Sequence, residues 1–231
     1  MNINKVISLL WNYKFSLIKT LYINFKTLRF VDAIRLPIVV SRHVKIKNAK
    51  KGSIVIKHPL KPFMIRFGFG GSEDLYYYNL TKSVLFFRNS GKIIFNGNSA
   101  RFSPHFSILV DDSVMEFGDG FTCNNGCSFS STHGIKFGDD CLVGGHVIVR
   151  DSDGHKIIHY DTSSFDCKTE MVEIGNHVWI CNNCNILKGV TIGNNNIVSY
   201  NTMCVKSVTE ENCIIGGHVG KVIKHGVSWE R

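Results

Sequence analysis

Proline is scarce in this sequence, with four residues among 231 against 21 glycines. That excludes a Pro-rich stalk or linker and suits many tight turns between short strands. Long apolar runs are missing as well. No stretch approaches the roughly 18 residues that a spanning helix needs, so the chain is expected to lie on a membrane if it meets one, and not to cross it. No N-terminal segment joins a long apolar region to a small-residue cleavage site. The eight cysteines are therefore read as reduced and cytoplasmic, not as a disulfide framework. The composition of disorder is absent too. Hydrophobic residues make up 44% and charged residues 19%, enough apolar surface for one large domain, or one domain with an appendage.

What the chain has in excess is positive charge, 27 Lys and Arg against 18 acids. Such a balance favours anionic partners: nucleic acid, a phosphorylated cofactor, an acidic polysaccharide or a membrane surface. No recognised nucleic-acid motif accompanies the cations, so no nucleic-acid partner is expected. Residues 1–36 form a basic, aromatic-rich helical segment. Lys5, Lys14, Lys19, Lys26 and Arg29 stand among Phe15, Leu17, Ile18, Leu21, Tyr22, Ile23, Phe25 and Leu28, and no acid precedes Asp32. The pattern suits a helix packed on the main domain, an oligomer contact, or an interfacial helix that brings residues 1–30 to a membrane. Pro37 ends it, and from there short β-branched runs alternate with Gly, Asn and Ser turns.

The most informative feature is a six-residue period. Phe117, Cys123, Phe129 and Ile135 keep one phase; Phe137, Val143 and Val149 follow after a two-residue shift. Beyond a gap come Ile174, Ile180, Ile186, Ile192, Val198 and Cys204. All are apolar. One inward apolar residue per hexad, with Gly or Asn at intervening corners, describes a short flat strand plus a tight turn. Such a unit cannot bury its side chain alone, so hexads must coil and stack, which makes residues 37–231 an all-β parallel β-helix.

Three stretches carry a family resemblance: Ile174-Gly-Asn-His-Val-Trp-Ile180, Ile186-Leu-Lys-Gly-Val-Thr-Ile-Gly193 and Ile214-Ile-Gly-Gly-His-Val-Gly-Lys-Val-Ile-Lys224. They resemble the closing coils of hexapeptide-repeat O-acetyltransferases of the maltose, galactoside and capsule type, over roughly residues 93–224. The resemblance implies a left-handed β-helix with a short C-terminal extension, a homotrimer, acetyl-CoA as donor, and no metal. It further implies a sugar hydroxyl as acceptor, on a capsule or O-antigen polysaccharide or its precursor; the basic N-terminal segment would suit a lipid-linked acceptor at the cytoplasmic face of the membrane. A small-molecule acetyltransferase and a non-catalytic β-helical scaffold are the alternatives.

The ladder is interrupted between Val149 and Ile174, and residues 150–173 read as a functional loop. It opens with Arg150-Asp-Ser-Asp-Gly-His155. A histidine with two carboxylates close by can be oriented and kept basic near neutral pH, which suits removal of a hydroxyl proton. The resemblance places the catalytic histidine here, so His155 is the expected general base, with Asp153 or Asp151 to orient it. By the same resemblance Asn124 contacts acceptor or acyl group, and Trp179 lines the acceptor cleft. Asn182, Tyr200 and Val205 would line the pantetheine arm of CoA, with Lys206, Lys221 and Lys224 around its phosphates. Departures from the family pattern fall on Cys181, on Tyr200-Asn201-Thr202 and on His218-Val219, and bear on donor preference.

Cys181-Asn-Asn-Cys184 has chelating spacing, but no second pair completes a tetrahedral site and Cys184 takes a small-residue position of the ladder, so both are read as core cysteines. A metal reading would need His133, His146, His155 and His177 to converge, and nothing in their spacing forces that.

Overall fold

The computed structural model describes residues 15–70, 82–162 and 164–231. From Ile38 onward the chain winds into a parallel β-helix in which each coil gives one short strand to each of three faces. Face 1 stacks β1 (Ile38–Val40), β4 (Ile65–Phe67), β7 (Ala100–Phe102), β10 (Phe121–Cys123), β13 (Leu142–Val143), β18 (Trp179–Ile180), β21 (Ile197–Val198) and β23 (Cys213–Gly216), and ends in β24 (Lys221–His225). Face 2 stacks β2 (Val44–Lys47), β5 (Ser83–Arg88), β8 (Ser107–Asp111), β11 (Ser128–Ser131), β14 (Ile148–Arg150), β19 (Asn185–Ile186) and β22 (Met203–Cys204). Face 3 stacks β3 (Ile54–Ile56), β6 (Lys92–Phe95), β9 (Val114–Phe117), β12 (Gly134–Phe137), β17 (Val172–Ile174) and β20 (Thr191–Ile192). Pairing within each face is parallel and in register, so Phe117 lies over Phe95 and under Phe137. Among the described strands of the three faces, only β24 runs antiparallel to its neighbour.

Every residue of the six-residue period is buried, from Phe117 to Cys204. Their side chains fill the interior as columns. Phe95, Phe117 and Phe137 stack with ring centroids 5.6 and 5.5 Å apart and planes within 19°, and Phe102 and Phe121 tilt against them. Corners are made by residues that tolerate positive φ, among them Asn183, Asn195, Asn201 and Gly126. Gly138 shows why a corner also needs small residues. A Cβ there would sit 2.4 Å from the Asn176 side-chain oxygen, which accepts a hydrogen bond from the Asp139 amide at 2.8 Å.

The coils begin at Ile38, well before the ladder legible in sequence. Phe67, Leu85, Phe87, Ile93 and Phe102 are core residues of the same kind. The chain between 38 and 110 carries connections of unequal length between strands, so no constant period survives there.

The helical segment resolves into α1 (Leu17–Thr27) and the single turn α2 (Phe30–Ala33); residues 1–14 of the expected segment lie outside the described residues. Ser16 caps α1 by accepting from the Lys19 amide. Its buried side is polar: Thr20, Asn24 and Thr27 beside Ile23. The reason is the exposed edge of β1. Asn24 donates to the Ile38 carbonyl at 2.7 Å and accepts from the Ile38 amide at 3.2 Å. The Val40 amide donates to Thr20 Oγ1 at 3.1 Å, and the Val40 carbonyl accepts from the Ser16 amide at 3.1 Å. Polar side chains and one backbone amide thus replace the missing strand, as buried backbone groups require.

Candidate active site

The expected loop at 150–173 is an ordered arm. Its base is zipped by antiparallel contacts, with the Asp153 amide donating to the Lys168 carbonyl and the Glu170 amide to the Asp151 carbonyl. Beyond the base, β15 (Ile157–His159) and β16 (Ser164–Asp166) form an antiparallel hairpin that leaves Ile158, Tyr160 and Phe165 exposed. His155 stands between base and hairpin, one residue after Gly154 at φ 79°. It is exposed, and among the described residues no hydrogen-bond partner holds its imidazole.

The two flanking carboxylates do other work, which corrects the expectation that one of them orients His155 within the protomer. Asp151 is fully buried and organises the corner after β11. It accepts from the amides of Thr132, His133 and Gly134 at 2.7–3.0 Å and from the Ser131 hydroxyl at 2.8 Å. Asp153 pairs with Lys188, Oδ1 to Nζ 2.5 Å. The Lys188 ammonium holds the Asp153 carboxyl below its usual range. The other oxygen of Asp153 is buried and accepts no hydrogen bond within the described protomer. Sequence reasoning missed Lys188; it lies directly beyond β19, on the corner that follows the apolar Ile186.

The remaining candidates divide between two edges of face 2. Asn124, Asn182 and Tyr200 sit at corners between face 1 and face 2; His155, Asp153, Lys188, Val205 and Lys206 sit at or beyond corners between face 2 and face 3. The four residues of β11 separate the edges by roughly 13 Å at about 3.3 Å per residue. One protomer therefore does not bring Asn124 to His155. Asn124 is half-buried and lacks positive φ; Gly126 supplies that conformation to its corner, so the turn does not demand an asparagine at 124. Asn182, by contrast, spends its side-chain oxygen on the Gly145 amide at 2.9 Å. Tyr200 is exposed, and its hydroxyl accepts from Asn183 at 2.6 Å.

Farther along the second edge, a groove opens between residues 206–210 and the β23–β24 hairpin, lined by Lys206, Thr209, Glu210, His218, Val219 and Lys221 among others. It brings two of the three cations expected around a nucleotide together. Lys224 is exposed on β24 and does not line the groove. Two ammonium groups lining an open cleft can meet phosphates as point charges.

All eight cysteines are unpaired. Cys184 is buried and points its thiol at the Ser199 carbonyl, 3.0 Å away; burial pushes Cys181 up to about 11 and raises Cys184. Cys184 is a core thiol as expected, whereas Cys181 is only half-buried. His133, His146 and His177 stand at three different corners, so the histidine pool does not converge within a protomer. Among the described residues Glu210, Cys213 and His225 do cluster. Sγ and the Glu210 carboxylate both meet the same His225 Nδ1, at 3.4 and 3.5 Å.

Trp179 lies half-buried on face 1, and the C-terminal residues fold back beside it. Trp229 stacks on His177 with centroids 4.3 Å apart and planes 6° from parallel, and lies 6.0 Å from Trp179. Trp229 Nε1 donates to the His177 carbonyl. His177 Nδ1 and Arg231 Nε both meet the Asp140 carboxylate, at 2.7 and 2.8 Å. Burial raises the Asp140 carboxyl, but the hydrogen bonds from His177 and Arg231 outweigh it and leave the group below its ordinary value. Trp179 thus has a second, buried indole beside it. Nothing in the repeat pattern marks Trp229, because it lies beyond the last coil.

No family model matches the chain. It is 29% identical over 150 residues, 60% of its own length and 74% of the relative's, to WbbJ of Escherichia coli (strain K12), assigned as a lipopolysaccharide biosynthesis O-acetyl transferase. Its fold matches the polySia-specific acetyltransferase NeuO with a TM-score of 0.55 at 19% identity, covering 84% of this chain and 79% of that one. It also matches AntD, an N-acyltransferase from Bacillus cereus whose structure holds dTDP-4-amino-4,6-dideoxyglucose and coenzyme A. There the TM-score is 0.56 at 16% identity, over 95% and 92% of the two chains. Sequence relatives and fold neighbours alike are acyltransferases, and the resemblance read from the closing coils stands.

Proposed function

We propose that this acyltransferase moves an acetyl group from acetyl-CoA to a hydroxyl of a sugar in a cell-surface polysaccharide, or in its cytoplasmic precursor, with His155 as general base. One observation carries the assignment: an exposed imidazole without a partner, held on the zipped base of the arm, on the edge that runs through Lys188 to the Lys206–Lys221 groove. The relative assigned to lipopolysaccharide biosynthesis supports a saccharide acceptor. His155 takes the hydroxyl proton, and the alkoxide oxygen attacks the thioester carbonyl. The tetrahedral intermediate then collapses, breaking the C–S bond, and CoA thiolate leaves with the proton returned by the imidazolium. No acyl-enzyme forms. Lys206 and Lys221 bind CoA phosphates, while Asn124 and Trp179 bear on the acceptor. Because Asn124 and His155 occupy different edges, a second copy completes the site, in keeping with a trimer of left-handed β-helices.

The test is transfer of labelled acetyl from acetyl-CoA to isolated polysaccharide and to sugar-nucleotide acceptors. His155→Ala should lower turnover by roughly 10²–10⁴-fold while the melting temperature and its rise with added CoA stay as in the unaltered protein. Unchanged turnover would remove His155 from the mechanism. An N-acylated sugar nucleotide as sole product would favour a small-molecule acceptor, and no melting shift with acetyl-CoA would favour a scaffold.

A further inference from the structure

α1 is inside out for a helix packed on a soluble domain. Its polar side is buried because β1 needs hydrogen-bond partners, and that leaves the apolar side facing outward: Ile18 is 81% exposed, and Leu17, Tyr22 and Phe25 are exposed with it. α2 continues the same surface with Phe30 at 70% and Ile34 at 57%. A soluble monomer rarely shows so much contiguous apolar area without a use for it.

Charge is segregated to the same end. Residues 15–70 hold twelve Lys and Arg and a single acid, Asp32, whereas residues 82–231 hold thirteen Lys and Arg and fifteen acids. The whole positive excess of the described chain therefore sits on the first coils and their helices. The two features also touch. A groove beside α1 is lined by Ile18 and Tyr22 on one side and by Arg42, Lys45 and Lys82 on the other, while Lys26 and Arg35 project from the helical segment itself. Burial, with the neighbouring Lys82 ammonium, lowers Lys19, as crowding of like charges demands.

We propose that this end of the β-helix docks on an anionic phospholipid bilayer, the outward side chains of α1 and α2 entering the headgroup boundary and the surrounding cations meeting lipid phosphates. A bilayer offers both complements at once, apolar depth and a negative layer. A second copy applied to this surface face to face would oppose one positive patch with another. No helix among the described residues is long and apolar enough to cross a membrane, so the contact is peripheral. The inference does not depend on the reaction assigned above.

Flotation of the full chain with vesicles tests it. Recovery with vesicles containing about 30 mol% phosphatidylglycerol should exceed recovery with pure phosphatidylcholine at least tenfold, and should fall as salt rises. Ile18→Ser combined with Phe30→Ser and Ile34→Ser should lose most of the binding, with no change in melting temperature or acetyl transfer to a soluble acceptor. Lys26→Gln with Arg35→Gln and Lys45→Gln, which leaves every buried group in place, should lower the partition coefficient on the order of a hundredfold. Equal recovery with neutral vesicles, or wild-type binding by the charge variant, would overturn the proposal. So would a fall in molar mass of the apolar variant by light scattering, which would assign the surface to a contact between copies.

Discussion

At the scale of single residues, position in the coil decides what a carboxylate does. Asp151 and Asp153 lie two apart on either side of Ser152, and in sequence they are interchangeable as partners for His155. The structure separates them completely: one is a buried hub for three amides and a hydroxyl, the other an ion-pair partner on the arm. Asp151→Asn sets an amide NH2 against donors that have nowhere else to turn. It should cost about 2–3 kcal/mol, from stranded buried N–H groups, read as a shift in the denaturant midpoint; a loss under about 0.5 kcal/mol, the range of changes that remove no buried contact, would deny the hub. The roles were illegible in sequence because that of Asp151 depends on the Ser131–Gly134 corner one coil earlier and that of Asp153 on Lys188, 35 residues further along the chain. The inward apolar residues were legible because each depends only on local pattern.

At the scale of elements, the coils from Phe117 to Cys204 follow directly from the six-residue period, since every connection but two, the one into Phe137 and the arm before Ile174, keeps the count. The earlier coils, the arm's hairpin and the C-terminal tail do not repeat, so their pairing is set by contacts that periodicity does not encode. The tail has a testable pH dependence. Asp140 is held below its ordinary value of 3.8, so its contribution to docking of Trp229 and Arg231 is fully present above that value and is lost as pH falls through the lower value of the folded state. Tryptophan fluorescence should report release of the tail in acid before the β-sheet signal at 218 nm, a wavelength characteristic of strands, begins to fall. Arg231→Ala should bring release to higher pH. Simultaneous loss of both signals in both proteins would show the tail to be inseparable from the coils.

At the scale of the whole molecule, Asn124 and His155 lie at two different edges of one chain, so the proposed site, if it uses both, needs a second copy. If the two act from different copies, Asn124→Ala and His155→Ala proteins, each weak alone, should regain activity when unfolded and refolded together at equal amounts. About a quarter of the interfaces would then carry both native residues. Activity no better than the average of the separate variants would place both groups in one protomer. The edge of β1 carries a different consequence. A parallel β-helix has no intrinsic length: each coil offers the next the same open backbone, and an end left bare would template a foreign strand or the first coil of another molecule. Thr20, Asn24 and Ser16 fill the hydrogen-bonding positions of β1 at one end, and β24 reverses direction at the other. Those two stops, not the repeat between them, make this chain a countable particle instead of a growing fibre.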